Sequence, residues 1–439
     1  MKKIIIFIVI VVFVLAIAPI VGNKLVEDTL DKEIQVLKSN GIEVTNTREI
    51  TTYLSTSKHY EFLLSDMDKF LKYLSQYSQK QLPAYTSALV DGTLIGADIK
   101  YSNIPFTKAI SVDIYPLTFS EKIMNEIKED DKSFYEYLKD FLSKKGILYH
   151  INYNVVSENF DGFIKDIDEN HTMKNGVNIL VKLSNTSFKG KGSLLAPASL
   201  ELNTNNLKLK LLNGLQELDI NLDKFSSISS FDSSTSYQSF AKLKSLSIKI
   251  KESSQENIFM QVEDTKVDIS SSTKAKKAEL KSKSSFSKIL IKSDKVNLEA
   301  LDFEHDIAIS GIDKDSLEEL RVLISKTNVE NSLINLLSKG IKLNIKQFSL
   351  KNIKLNKDNL KGFKVSSKLT LNKDRDLAQK IKYAPLLLLG NIDVDFNFRV
   401  SKEIFSAISG LQPIVVFAKA YAKEDGDYLI FVYNKVSLK

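Results

Sequence analysis

The chain has 439 residues, of which 43% are hydrophobic and 26% charged, so it can bury a substantial core in one large or two medium domains. Cysteine is absent, which excludes disulfides, thiolate metal sites, iron–sulfur clusters and cysteine nucleophiles. The net charge of +7 rests almost wholly on lysine, and lysines interleaved with acids are typical of a solvated surface. We therefore expect no nucleic-acid partner.

An uncharged, apolar segment follows two lysines at the amino terminus. As a helix, residues 4–22 would span about 28 Å at about 1.5 Å per residue, close to the hydrocarbon core of a bilayer. Ala16-Ile17-Ala18 resembles a signal-peptidase motif, but Pro19 would follow the cut, which favours an uncleaved signal anchor. The positive-inside rule leaves the two lysines in the cytoplasm. The sequence therefore predicts a single-pass anchor over residues 1–23 in a bacterial inner membrane, with a periplasmic body and with residues 4–22 in the lipid bilayer.

Amphipathic helices are predicted at three places in the first half of the chain. The first covers residues 24–40 and ends at Gly41. Its narrow apolar stripe could pack on the body or pair with a second copy, as in a homo-oligomer. The second follows Ser65, whose spacing to Asp68 fits a capping box, and the third runs from residue 120 to 145.

The hydrophobic period changes to two in the remaining segments, which predicts strands. The clearest alternations are at 177–183 and 392–400, where Lys, Asn, Ser and Asp separate the apolar positions. One wet face and one apolar face per strand are typical of antiparallel sheet. The Ser-rich segments 226–239 and 270–288 are compatible either with loops or with the wet faces of long strands.

The fold class predicted from these patterns is α+β, with long twisted antiparallel β-sheets and a few packed amphipathic helices, preceded by one N-terminal transmembrane helix. We expect three parts: the anchor over 1–23, a membrane-proximal α+β half over 24–175 and a β-rich half over 176–439. A helix–Gly–strand pattern at 141–163 recurs at 336–363, which indicates either an internal duplication or a chance recurrence of a common pattern.

The carboxy-terminal third carries the most specific pattern. The segment Gly340–Leu350 leads to Gly362–Leu371, and a short helical segment, the strand at 392–400 and a closing segment at 420–433 follow. This order resembles the YdgA-like family of bacterial membrane-anchored envelope proteins of unknown function. The resemblance implies an amino-terminal anchor and a long body on the envelope side, and it supplies no catalytic residue.

No motif in the sequence predicts a reaction. The four histidines are scattered, and nucleophile-elbow, P-loop and Ser-x-x-Lys signatures are missing. His150 lies within an alternating strand and is interpreted as a satisfied strand histidine. The acidic cluster Asp166, Asp168 and Glu169 lacks the glycine and the terminal glutamate of an EF-hand loop and is interpreted as a solvated turn. We therefore expect no enzymatic activity, no catalytic residue, no cofactor and no metal.

One short motif is compatible with a covalent modification. Asp168-Glu169-Asn170-His171-Thr172 fits the extended acceptor pattern of bacterial N-glycosylation, which makes Asn170 a candidate site. Such a sequence also arises by chance, so an unmodified Asn170 is the alternative.

Two non-enzymatic functions remain. In the first, apolar strand faces form a groove that holds a lipid or another apolar ligand. In the second, the body is a tethered module that binds an envelope protein and supports envelope assembly or motility, and the apolar faces are filled core. A strand has the same alternation of apolar and polar residues whether its apolar face lines a groove or is packed in a core. The sequence therefore leaves both functions open. The candidate groove consists of Phe363, Val365, Leu369, Leu371, Val394, Phe396 and Phe398.

Overall fold

The computed structural model describes residues 34–75, 90–102, 109–193, 197–233, 235–252, 257–274, 276–323, 329–383, 390–407 and 421–435. The chain forms two compact units, unit 1 (Met1–Asp219) and unit 2 (Ile220–Lys439). No helix within the described ranges is long and apolar enough to cross a bilayer. The anchor predicted over residues 1–23 lies outside these ranges.

The predicted α+β class is wrong, because the structure is mostly large antiparallel β-sheet, with 66% strand and 18% helix. The two Ser-rich segments, 226–239 and 270–288, consist mostly of strand and not of loop. Few apolar residues occur there, and serine is compatible with the wet face of a long strand as well as with a loop. These segments therefore add strand to the half of the chain where few helices occur.

Unit 1 consists mainly of antiparallel strands that pair in chain order. They are β1 (Ile42–Thr51), β2 (Ser55–Leu64), β3 (Leu94–Ser102), β4 (Ala109–Thr118), β5 (Tyr149–Asn154), β6 (Asn159–Ile164), β7 (Ile167–Thr172), β8 (Asn178–Ser184), β9 (Thr186–Gly192) and β10 (Pro197–Asn213). Each of β1 to β5 pairs with the next, β6 pairs with β9 and β7 with β8, and both β8 and β9 pair with β10. Short connections favour this order. The sequence-based boundary between residues 175 and 176 falls in the turn between β7 and β8.

The helices of unit 1 agree with the sequence-based prediction in one start, at Ser120, and differ from it in their other bounds. They are α1 (Met67–Ser75), α2 (Glu121–Asp130) and α3 (Lys132–Ser143), and residues 34–39 are also helical. Asp66, not Ser65, caps α1, since its Oδ1 accepts a hydrogen bond from the Lys69 N–H at 3.0 Å. The single helix expected over 120–145 is divided because Asp131, at φ −152°, leaves the helical backbone and caps α3. Of the helix predicted over 24–40, residues 24–33 lie outside the described ranges.

Unit 1 has a filled core. One buried cluster joins α1 to β2, β3, β4 and β5, and Phe70 of α1 is 0% exposed within it. A second buried cluster joins α2 and α3 to β7, β8 and β10, with Leu138 and Leu142 each 1% exposed. The helices of this unit therefore cover the apolar faces of its strands, as the binary pattern requires.

Unit 2 is built on longer antiparallel strands. They are β11 (Gln216–Ser233), which contains the division between the units, β12 (Ser236–Lys251), β13 (Asn257–Lys274), β14 (Lys277–Lys292), β15 (Asn297–Asp313), β16 (Ile341–Leu355), β17 (Asp358–Leu371), β18 (Ile392–Ser401), β19 (Lys423–Asp425) and β20 (Tyr428–Lys435). From β12 to β18 each strand pairs with the next, and β20 pairs with β18 and β19. The alternating segments at 177–183 and 392–400 are thus confirmed as strands β8 and β18 to within a residue.

The helices of unit 2 are short and pack mainly at one end of the strands. They are α4 (Lys314–Leu323), α5 (Val329–Ser338), α6 (Leu377–Tyr383) and α7 (Lys402–Ala407). The buried cluster beside α4 and α5 consists of Ala278, Ile312 and Leu336. Among the described residues it is much smaller than either cluster of unit 1, and most apolar residues in strands β14 to β18 are half-buried.

The two segments of the predicted duplication have the same order of elements. In 141–163 the end of α3 is followed by the β5–β6 hairpin, and in 336–363 the end of α5 is followed by β16 and β17. The strands differ in length, with 6 residues each in the first hairpin and 15 and 14 in the second. The duplication stays a prediction.

Candidate functional site

The structure brings the seven predicted groove residues together on two adjacent strands, β17 and β18. Directly paired residues in an antiparallel ladder project from the same face. All seven are half-buried. They therefore form one apolar surface, established by the pairs Phe363–Val400, Val365–Phe398, Ser367–Phe396, Leu369–Val394 and Leu371–Ile392.

This surface continues onto the neighbouring strands of unit 2. The register places Leu350, Phe348 and Leu343 of β16 beside Phe363, Val365 and Leu369. It extends in the same way to β15 and β14 on one side and to β20 on the other. We call this surface the apolar face; its members are Leu280, Phe286, Phe303, Ile307, Ile309, Ile341, Leu343, Ile345, Phe348, Leu350, Phe363, Val365, Leu369, Leu371, Ile392, Val394, Phe396, Phe398, Val400, Leu429 and Phe431.

A row of phenylalanines crosses the apolar face from β14 to β20. Each ring is half-buried, and successive rings are in contact. Five interstrand spacings of about 4.8 Å make the row about 24 Å long. The centroid distances are 4.7 Å for Phe286–Phe303, 5.4 Å for Phe303–Phe348, 5.9 Å for Phe348–Phe363, 6.4 Å for Phe363–Phe398 and 5.9 Å for Phe398–Phe431.

Four members of this row were missed by sequence reasoning: Phe286, Phe303, Phe348 and Phe431. The residue types were visible in the sequence, but Phe286 lies in a Ser/Lys-rich segment and Phe431 in a continuous apolar run, where no period of two identifies a face. The register was not visible, because pairing depends on the β-bulges between strands, including a shift between Ile345 and Phe348 in the β16–β17 ladder.

Two polar positions interrupt the apolar face: Ser367 on β17 and a hydrogen-bonded group centred on β15. The His305 Nδ1 lies 2.9 Å from the Ser284 Oγ, and its Nε2 lies 2.9 Å from the Ser282 Oγ. Ser284 is the direct cross-strand partner of His305, so all three side chains share the face. Burial lowers the pKa of His305, because removal from water disfavours the charged imidazolium. The histidine is therefore neutral at pH 7, with one N–H and one accepting nitrogen.

A depression of about 570 Å³ on the same strands is lined mainly by residues of the opposite, polar face and also by Phe286, Phe303, Leu350 and Phe363. Its charged groups largely contact one another: Lys351 Nζ lies 3.3 Å from Asp302, and Gln347 donates to Glu304 at 2.7 Å. Arg399 lies 3.9 Å from the centre of the Tyr428 ring. Exposed pairs of this kind contribute about 0–1 kcal/mol each and are typical of a solvated sheet surface.

The largest group of titratable contacts in unit 1 surrounds Asp98. Its carboxylate accepts hydrogen bonds from Lys145 at 2.5 Å and Tyr115 at 3.0 Å, and it lies 2.6 Å from His59 Nδ1. Burial alone would raise the pKa of Asp98, but hydrogen bonds from Lys145, His59 and Tyr115 lower it below its usual value. Every member has a partner inside the group, which therefore fixes the end of α3 to β2, β3 and β4.

His150 is a satisfied strand histidine, as predicted. Its Nδ1 lies 2.7 Å from an Asp113 carboxylate oxygen, and its ring stacks on Phe163 with centroids 4.8 Å apart. Asp113 is its direct cross-strand partner. The imidazole is thus held by the strand next to it and contacts no nucleophile.

The interpretation of the acidic cluster at 166–169 as a turn is wrong for two of its members. Asp168 and Glu169 lie in β7; Lys182 Nζ lies 2.8 Å from Asp168, and the Tyr137 hydroxyl donates to Glu169. Asn170 also lies in β7 and is exposed, and Asn178 Nδ2 donates to its Oδ1 at 2.8 Å. Its glycosylation stays a prediction.

Comparison with known proteins gives no match. No family model, no curated protein and no solved structure matches the chain. The resemblance to the YdgA-like family therefore stays a prediction, and the function is argued from the apolar face.

Proposed function

We propose that this chain is a non-enzymatic, membrane-anchored periplasmic protein whose unit 2 binds the aliphatic chain of a lipid on the apolar face. The observation that carries the proposal is the row of six half-buried phenylalanines in contact across β14 to β20. A ligand that covers these rings gains about 25 cal/mol per Å² of apolar surface removed from water.

The contrast between the two units supports an open site over a filled core. In unit 1 the apolar strand residues are buried beneath α1, α2 and α3. In the described part of unit 2 the buried cluster has three members beside α4 and α5, and the phenylalanine row lies outside it, whereas Val400 and Leu429 at one edge of the apolar face are buried. Contiguous exposed apolar surface of more than a few hundred Å² usually marks a binding site.

The dimensions and chemistry of the apolar face favour an aliphatic chain. The phenylalanine row is about 24 Å long, whereas the hydrocarbon of one bilayer leaflet is about 15 Å thick, half of a core of about 30 Å. A chain from one leaflet therefore fits within the row. The side chains of the face offer almost no hydrogen-bonding groups, which suits a ligand portion that needs none.

A photoreactive analogue of palmitate that carries a diazirine on its chain tests the proposal on the full-length protein. We expect crosslinks in peptides from β16, β17 and β18, separable by mass spectrometry from any in residues 4–22. Phe396→Asp should reduce the unit 2 crosslinks at least about tenfold, because the ligand would contact a carboxylate in place of a ring. The matched control is Asn397→Asp, which adds the same charge at an exposed position.

Equal crosslinking of unit 2 in the Phe396→Asp and Asn397→Asp variants would contradict the proposal. Crosslinks confined to the amino-terminal segment would contradict it too, and the interaction-module function would then remain. Hydrogen exchange of both variants establishes that each retains the β17–β18 ladder.

Membrane attachment is tested separately from ligand binding. We expect the intact protein to remain with membranes during carbonate extraction, and substitution of both Val9 and Val12 by lysine to release it. Each lysine at the centre of a spanning helix costs about 2.5–3.5 kcal/mol on the insertion scale. Replacement of Lys2 by Arg, which keeps the charge, should have no effect. A soluble product that begins near Pro19 would show that the segment is a cleaved signal peptide.

A further inference from the structure

We infer that Ser282, Ser284 and His305 form the polar end of the ligand site and hydrogen-bond a carboxylate or ester oxygen at one end of the aliphatic chain. This inference rests on the proposed function, since it names the class of ligand that the apolar face accepts. It assigns a role to the hydrogen-bonded polar group that β14 and β15 contribute to the apolar face.

The hydrogen bonds among Ser282, Ser284 and His305 use all but one of their side-chain donors. A neutral imidazole has one N–H, and the two hydroxyls supply one O–H each. One hydroxyl donates to the accepting ring nitrogen, and the ring N–H donates to the other hydroxyl oxygen, with both contacts at 2.9 Å. The second hydroxyl therefore keeps its own proton, which is available to an acceptor on the ligand.

The position of this donor matches the apolar face. His305 lies on β15 between Phe303 and Ile307, and its ring meets the Phe303 ring edge-on at 5.8 Å. From β15 the face continues across β16, β17 and β18 to β20, about 19 Å over four interstrand spacings. A chain that starts at the serine pair can thus lie along the phenylalanines, with its oxygen end at the donor.

Because the pKa of His305 is lowered by burial, the imidazole carries no charge at pH 7. Recognition therefore relies on a hydrogen bond instead of an ion pair. One neutral hydrogen bond changes affinity by about two- to tenfold. The protein should therefore bind an oxygen-bearing chain about two- to tenfold more tightly than a hydrocarbon of the same length.

Competition against the photoreactive palmitate measures this preference on the full-length protein. Palmitate, methyl palmitate and hexadecane are compared as competitors, with crosslinks counted only in unit 2 peptides. We expect palmitate and methyl palmitate to compete about two- to tenfold better than hexadecane. In a Ser282→Ala, Ser284→Ala, His305→Phe triple variant, which removes every donor of the group, the preference should disappear while hexadecane still competes. Ser285→Ala, on the same strand and the opposite face, is the matched control.

The outcomes separate the inference from the proposed function. Loss of the preference in the triple variant, with its retention in the control, supports the inference. Retention in the triple variant, or an equal effect of all three competitors on the wild-type protein, overturns it and leaves chain binding intact. Competition by methyl palmitate but not palmitate assigns the site to esterified chains, and the reverse result to free acids. If no compound competes and unit 2 is not crosslinked, both the inference and the proposed function are overturned.

Discussion

Replacing Phe70 by alanine should lower the free energy of unfolding of unit 1 by about 3–5 kcal/mol. The side chain is 0% exposed and packs between α1 and the strands beneath it, with its ring 6.3 Å from that of Tyr73. The substitution removes most of the buried ring and leaves a cavity that a closely packed core fills only in part. Denaturant-dependent hydrogen exchange of the β2 and β3 amides measures the change within this unit.

The matched substitution in unit 2 is Phe398→Ala, which removes the same atoms from the apolar face. Since the Phe398 ring is half-buried, we expect a loss of only about 1 kcal/mol, measured on the β17 and β18 amides. A loss as large as that of Phe70→Ala would mean that the apolar face is a filled core. The lipid-binding proposal would then lose the contrast between the units on which it depends.

The sequence predicts individual strands well and the fold class poorly. Strict alternation identifies β8 and β18 because a one-residue slip would turn every apolar side chain towards water. The Ser-rich strands are ambiguous, since serine suits both loops and wet faces, and this ambiguity hid much of the strand content of unit 2. Asp131 divides a predicted helix for a related reason: a residue that is tolerated inside a helix is also a favourable cap.

The sequence predicts which residues of one strand share a face, but not which residues of different strands are in contact in the candidate site. Alternate residues of one strand must share a face, so Phe396 and Phe398 could be grouped without a structure. The contact between Phe348 and Phe363 depends on the pairing register, and the contact of His305 with Ser284 joins residues on different strands. Such register is set by bulges and turns throughout the sheet, which a local pattern does not specify.

Asp131→Ala should lower the free energy of unfolding of unit 1 by about 3 kcal/mol at pH 7. One carboxylate oxygen accepts hydrogen bonds from the Ser133 N–H at 2.8 Å and the Phe134 N–H at 3.1 Å, and the other accepts from the Lys174 N–H at 2.5 Å. The residue is 3% exposed, so these donors would lose their partner away from water. Glu129→Ala, at an exposed position of α2, should change stability by less than about 0.5 kcal/mol.

The same carboxylate should make the effect of Asp131→Ala depend on pH. Burial alone would raise the pKa of Asp131, but hydrogen bonds from Ser133, Lys174 and Phe134 lower it to about 2. In the unfolded chain an aspartate has a pKa of about 3.9, so the folded state is stabilised above that pH and the contribution is lost as the pH falls towards 2. The difference between wild-type and variant should therefore shrink between pH 4 and pH 2 in denaturant titrations. A constant difference over this range would show that the loss of helix capping does not depend on the ionised carboxylate.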